Sequence, residues 1–345
     1  MSVDYSWLDR TPRDGRRVGL VVQAAYHLDE FLPLRSELRA RGIAADILVP
    51  VPPKKPLNHF RPGMRRFREL LGATPLRLGP PVTADGLVAD LSALVVMNDW
   101  GTPKALVESS RAREVPTFAW IEGVQDFGDL DTGQSRGAYT HVDHVFCLGR
   151  YGADRLTGTA RTVVGSARLR ALWNGPCARP AAPMATINSN FTYGVLTEHR
   201  RSWVASVMTA CRAAGMPRVL SRHAAERGLV LPHRVSDRPI GELLAGSTHL
   251  VGRFSTVGYE ALVRGVEFVY HNPHGEKEPT FSEPMGAFAR TASTEELTRR
   301  LREPARSAEE IRAAAAEFLH HHLRLDDGPS PAEIAADTIE ESLAN

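Results

Sequence analysis

Apolar residues fall in short dense runs separated by stretches of helical spacing. Arg17–Ala24 (RVGLVVQA) is nearly continuous apolar chain, as expected of a parallel strand buried on both faces. Glu30–Arg41 then places Phe31, Leu32, Leu34 and Leu38 at helical spacing and stops at Gly42, before a second strand at Ile43–Val49. This is a βαβ opening. The alternation continues with strands at Leu91–Met97, Val115–Ile121, Val142–Leu148 and Arg161–Val164. Pro103 opens a helix running to Arg113, and Arg150–Thr157 is a short helix. A proline-rich segment, Trp173–Pro183, reads as a linker. A second series follows. Its strands are Met184–Phe191, Arg218–Leu220, His249–Gly252 and Val266–His271. Its helices cover about Leu196 to Ala214, Ile240–Ala245 and Thr256–Arg264, and Thr294–Arg302 and Ala308–Leu323 are helices after them. The pattern predicts an α/β protein of two tandem Rossmann-like domains with parallel sheets, 1–176 and 184–330. A last amphipathic helix, within 331–345, is expected to return to the first domain.

A chain of 345 residues with 43% hydrophobic residues supports two cores of ordinary size. The net charge of +2 gives no reason to expect nucleic acid as a partner. Cys147, Cys177 and Cys211 are scattered and odd in number, which fits a reducing cytosol without disulfides. The polar start lacks the apolar core of a signal peptide, and no apolar run reaches membrane-span length, so a cytoplasmic location is expected. Met64–Leu71 (MRRFRELL) is a basic amphipathic stretch, suited to weak peripheral contact with an anionic membrane or simply to a solvated face. Consecutive residues His320, His321 and His322 lie about 100° apart on a helix and cannot readily chelate one ion, so no metal site is read.

The richest stretch is His249–Pro279, a strand, a hydroxyl-bearing turn, a helix and a strand. Ser255 or Thr256 at the helix start can satisfy free amides, which also attract anions. Gly258 allows close approach to the backbone, and Glu260 shares a helix face with Thr256. Together with Asn190, Arg222 and His223, these positions follow strands or open helices of one unit, as a nucleotide site would require. An ordinary capped helix on a sheet gives the same local pattern. In the first half, strand ends deliver His27, Asp99, Glu122 and Asp126 to the carboxyl edge, where open α/β sheets bind ligands. Turn capping is the simpler role for such acids. Glu122 stands directly after an apolar strand, and partial burial there would raise its pKa and suit a general base.

Two segments carry a family resemblance. VVMNDWGTPKALVESSRAREVPTFAWIEG resembles the strand, G-D-T, helix, strand, H-V-E-A-G pattern of non-hydrolysing UDP-N-acetylglucosamine 2-epimerases. FSTVGYEALVRGVEFVYHNPHGEKEP resembles the donor-site stretch of the same superfamily, and Ser221-Arg222-His223 resembles the R-x-H-P element of CDP-glycerol glycerophosphotransferases and capsule-type transferases. The resemblance implies the GT-B fold. It places catalytic carboxylates at Asp99 and Glu122 and nucleotide contacts at Ser255, Thr256 and Glu260. It further implies a transferase moving a sugar or polyol phosphate from a nucleotide-activated donor to an acceptor hydroxyl, in polysaccharide, glycoconjugate or natural-product biosynthesis. The donor, UDP-, CDP- or CMP-linked, is a substrate, so no cofactor is implied and transfer is expected to proceed without metal. Strand one ends in Gln23-Ala24-Ala25-Tyr26-His27 where the epimerases have G-T-R-P-E, and no second glutamate follows Glu122. Those differences favour transfer, with its single base, over epimerisation. An epimerase and a catalytically inactive nucleotide-sugar-binding protein are the alternatives.

Overall fold

A computed structural model describes residues 15–48, 83–124, 127–177, 182–191, 196–221, 226 and 235–344. The helix expected at Met64–Leu71 lies outside them.

In the first half, β1 (Arg17–Val21), β2 (Ala44–Leu48), β3 (Ala93–Val96), β4 (Thr117–Trp120), β5 (His144–Cys147) and β6 (Ala160–Val163) form a parallel sheet in the order β2-β1-β3-β4-β5-β6. Every residue of β2, β3 and β4 is buried, which explains why these strands lack polar alternation. The helices of this half are α1 (Leu28–Ala40), α2 (Ala84–Val88), α3 (Thr102–Arg111), α4 (Arg150–Arg155) and α5 (Ala167–Asn174). In the second half, β7 (Ala185–Asn188), β8 (Arg218–Ser221), β9 (His249–Gly252), β10 (Glu267–His271) and β11 (Ala289–Thr291) form a second parallel sheet, ordered β11-β10-β9-β7-β8. With it go α6 (Arg200–Ala213), α7 (Ile240–Ala245), α8 (Val257–Val263), α9 (Thr294–Arg302) and α10 (Ala308–His322).

The last helix, α11 (Pro331–Ala344), returns to the first core. Ala335, Ala336 and Ile339 pack with Leu28, Phe31, Leu34 and Leu38. Arg41 at the end of α1 closes the contact, 2.5 Å from Asp337 and 3.1 Å from Glu340. The second core is built separately, from Ile187, Val251 and Val269 of the sheet with Trp203, Val207, Leu297 and Leu301 of α6 and α9.

Two compact units result, and both are discontinuous. The first draws on Met1–Glu122, Gly137–Arg168 and His322–Asn345, the second on Gly123–Arg136 and Leu169–His321. The loop after Glu122 belongs to the second unit because Lys277 donates its N–H to the Leu130 carbonyl at 2.8 Å and Thr280 Oγ1 donates to the Val124 carbonyl at 3.3 Å. Three elements depart from the sequence reading, the first being α2, Ala84–Val88, which no apolar pattern marked. The segment entering the linker is helical through Asn174, where prolines further on suggested loop, and β11 forms from only three residues, too few to show a period. No helix among the described residues is long and apolar enough to cross a membrane.

Candidate active site

Each sheet has one place where strand order reverses. In the first it lies between β1 and β3, in the second between β7 and β9. Chains leaving neighbouring strands there diverge to opposite faces and open a crevice at the carboxyl edge. Of the described candidates, His27, Asp99 and Glu122 follow strands of the first sheet, and Asn190 and Ser255 follow β7 and β9 of the second.

In the first unit, Glu122 leaves β4 with its side chain 21% exposed. Its Oε1 accepts hydrogen bonds from the Tyr26 phenol and, at 3.1 Å, from His27 Nε2, while Oε2 accepts from Asn98 Nδ2 at 2.8 Å. The Gln23 backbone N–H donates to His27 Nδ1 at 3.2 Å, which turns Nε2 toward the carboxylate. His27 is 1% exposed, buried rather than a solvated loop histidine. Asn98 also donates to Gln23 Oε1 at 3.1 Å, joining the ends of β1, β3 and β4. The backbone N–H of Glu122 donates to the hydroxyl of Tyr139, a fully buried residue held at φ 62°.

This environment reverses the expected titration. Burial alone would raise the Glu122 carboxyl, but the electrostatic pull of His27 and the hydrogen bonds from His27, Tyr26 and Asn98 outweigh it and hold the pKa at about 2. Glu122 is therefore an ionised acceptor at physiological pH. Asp99 is placed differently. It is buried, and its two oxygens accept the backbone N–H groups of Tyr139 (2.9 Å) and His141 (2.8 Å), anchoring the loop before β5. Asp126 lies outside the described residues.

In the second unit, Asn190 follows β7 at φ 40° and donates from Nδ2 to the Phe254 carbonyl at 2.6 Å, tying it to the turn after β9. Ser255 Oγ accepts the Val257 N–H at 3.2 Å, whereas Thr256, at the cap position, has helical dihedrals and makes no side-chain cap bond. Gly258 serves packing: a Cβ there would stand 2.9 Å from the Phe268 ring, so glycine lets α8 sit close to β10. Glu260 is buried and pairs with Arg264, whose Nε is 3.1 Å from Oε1. Arg222 and His223 lie outside the described residues. What the sequence reading missed is a buried brace at this edge. Arg253 Nε donates to Glu276 Oε2 at 2.8 Å, Arg253 NH1 to the Asn190 carbonyl at 3.2 Å, and Tyr270 Oη to Glu276 Oε1 at 2.7 Å. The guanidinium also lies 3.7 Å from the centre of the Phe191 ring. The available signal was an arginine directly after an apolar strand, a position that burial makes expensive unless a partner is present. Among the described residues no group of three or more His, Cys, Asp or Glu is arranged to hold a metal ion.

The two Rossmann-like units define the GT-B fold class, and comparison with solved structures bears this out. The spinosyn forosaminyltransferase SpnP superposes with a TM-score of 0.59 at 16% identity, covering 96% of this chain and 99% of that one. The Methanocaldococcus jannaschii UDP-GlcNAc 2-epimerase, solved with UDP-GlcNAc and UDP, gives 0.58 at 11% identity, covering 94% and 99%. The wall teichoic acid polymerase TagF gives 0.59 at 10% identity, covering 96% and 90%. Compared by sequence, the chain matches no family model and no curated protein.

Proposed function

We propose that this protein transfers a sugar, or a polyol phosphate, from a nucleotide-activated donor to an acceptor hydroxyl. The observation carrying this reading is the contrast between Asp99 and Glu122. Epimerisation needs several acid–base groups around the sugar. Of the described first-unit candidates, Asp99 and His27 are 2% and 1% exposed, whereas the Glu122 side chain is 21% exposed, which leaves Glu122 as the accessible acid. One carboxylate suffices for transfer. The acceptor hydroxyl reaches the solvent-facing part of the Glu122 carboxylate, and its proton passes to Glu122 as its oxygen bonds to the donor carbon or phosphorus. The bond from that atom to the nucleotide phosphate breaks, and the nucleotide leaves with the electron pair. The second unit holds the nucleotide, with Ser255, Thr256 and Asn190 at the β7–β9 switch point, Gly258 and Glu260 supporting the helix behind them, and Arg222 and His223 supplying positive charge. Metal-independent transfer belongs to the same proposal. The neighbours support it, since a transferase, a polymerase and an epimerase solved with UDP-GlcNAc share the fold.

Glu122→Gln tests it. Nucleotide binding persists, and turnover falls roughly 10²–10⁴-fold, the usual contribution of a general base. A thermal-shift screen of UDP, CDP, CMP, GDP and dTDP finds the donor class first, since saturation at a hundred times Kd adds about 2.7 kcal/mol. No shift with any nucleotide would remove the reading. Conversion of a sugar nucleotide without an acceptor would move it to the epimerase.

A further inference from the structure

Among the described residues the exposed large hydrophobic side chains are Tyr26 at 45%, Trp100 at 42% and Met285 at 37%. Two of these three sit at the first switch point, at the ends of β1 and β3, and both are tied to Glu122. Tyr26 is held by its phenolic bond to Oε1 and by an edge-on contact with the His27 ring, 4.7 Å between centroids at 79°. Trp100 meets the Tyr139 ring at 5.8 Å and 61°, and Tyr139 in turn accepts the Glu122 N–H. Solvent-facing aromatics on a soluble surface are unremarkable singly. Tyr26, bonded to the carboxylate beside buried His27, and Trp100, set against the buried Tyr139 ring, are each oriented by a buried partner, which is the preorganisation a binding platform needs.

We propose that this crevice holds a pyranose ring of the acceptor, with Trp100 and Tyr26 as its stacking platform and Glu122 as its hydroxyl anchor. A pyranose presents an apolar C–H face and a rim of hydroxyls. An aromatic ring covers the first, and a carboxylate accepts hydrogen bonds from the second. An open-chain polyol has no such face and gains little from the aromatics. An anionic ring substituent against Glu122 is repelled, because that carboxylate is ionised throughout the physiological range. The inference deepens the transferase reading and rests on it for the word acceptor.

Calorimetry on the full chain with methyl β-D-glucopyranoside, its 6-carboxylate analogue and glycerol tests it. The neutral pyranoside binds, while the uronate and glycerol bind at least about tenfold more weakly. Trp100→Ala weakens pyranoside binding about tenfold, the scale of one lost aromatic contact, and Trp100→Phe restores most of it. Both variants change a half-exposed side chain, and their unchanged thermal unfolding shows that the fold is intact. Equal binding of glycerol, no effect of Trp100→Ala, or no pyranoside binding at all would overturn the platform. The nucleotide screen separates the two ideas. Nucleotide binding without pyranoside binding sinks this inference alone, and pyranoside binding that depends on Trp100 without any nucleotide binding sinks the transferase reading alone.

Discussion

The two switch points share a topology and differ in what fills them. At the first, an ionised carboxylate is held by a phenol, an imidazole N–H and an amide, and part of it still faces solvent. At the second, Glu276 is 2% exposed at the side chain and matched against Arg253, itself 1% exposed, with NH2 only 2.6 Å from Oε2. Single donors such as a phenol and an amide lower the basicity of a carboxylate but can be exchanged one at a time for a substrate hydroxyl. A buried guanidinium cannot be exchanged without leaving a bare charge. The first crevice is therefore built to meet a hydroxyl, and the second to hold the turn at Phe254–Ser255 in place against β7.

Breaking the second crevice has the largest expected effect. Arg253→Ala leaves the Glu276 charge buried without its partner, and unfolding in denaturant should lose about 3–5 kcal/mol. The reciprocal Glu276→Gln, which keeps the shape, should lose less than Arg253→Ala. A loss under about 1 kcal/mol for Arg253→Ala would mean that the brace holds nothing, and the contrast between the crevices would fail.

Acid sharpens the contrast by separating the units. His271 in the second unit is fully buried between Thr291 and Ser206, and burial, with the nearby His274, pushes its pKa from 6.5 to about 4. Between those values the unfolded chain binds more protons than the folded one, so stability falls as pH drops from 6.5 to 4, by up to about 3 kcal/mol. Glu122 in the first unit moves from 4.5 to about 2, so its contribution is present above 4.5 and is lost only as pH falls from there toward 2. Hydrogen exchange at pH 5, corrected for intrinsic rates, should show the second unit loosening first, and His271→Gln should remove most of that sensitivity. Loosening confined to the first unit at pH 5 would reverse the assignment.

The fold was largely legible in the sequence because parallel strands buried on both faces leave dense apolar runs. The limits of α7, Ile240–Ala245, and of α9, Thr294–Arg302, were read to the residue. Helix α5 was lost because Trp173 and Asn174 run directly into Gly175-Pro176, and turn chemistry hid the helix that precedes it. At the site, position was legible and environment was not. The strand-end positions of His27, Asp99 and Glu122 were legible because each follows an apolar strand. That Asp99 caps a loop, that Glu122 is strongly acidic and that Gly258 answers to Phe268 depend on partners far away in sequence, Tyr139 and His141, His27 and Asn98, and a ring on the next strand. Tyr139, buried at positive φ in a polar loop, leaves no periodic signal.

The smallest expected effect is the most informative about the base. Tyr26→Phe keeps the ring but removes one of the two donors at Glu122 Oε1 and the bond that orients the ring. A hydrogen bond of this kind contributes about 0.5–1.5 kcal/mol, which at 1.36 kcal/mol per unit raises the Glu122 pKa by up to about one unit from its resting value near 2. If Glu122 takes the acceptor proton, the acid limb of kcat/KM moves up by the same amount while turnover at neutral pH changes little, because the carboxylate stays ionised there. Tyr270→Phe is the matched change in the second unit. It removes the 2.7 Å donor to Glu276 and should lower unfolding stability without moving the acid limb. Acid limbs that coincide for the wild type and Tyr26→Phe would place the base elsewhere than Glu122, and a limb that moves in Tyr270→Phe would draw Glu276 into the chemistry that the contrast denies it.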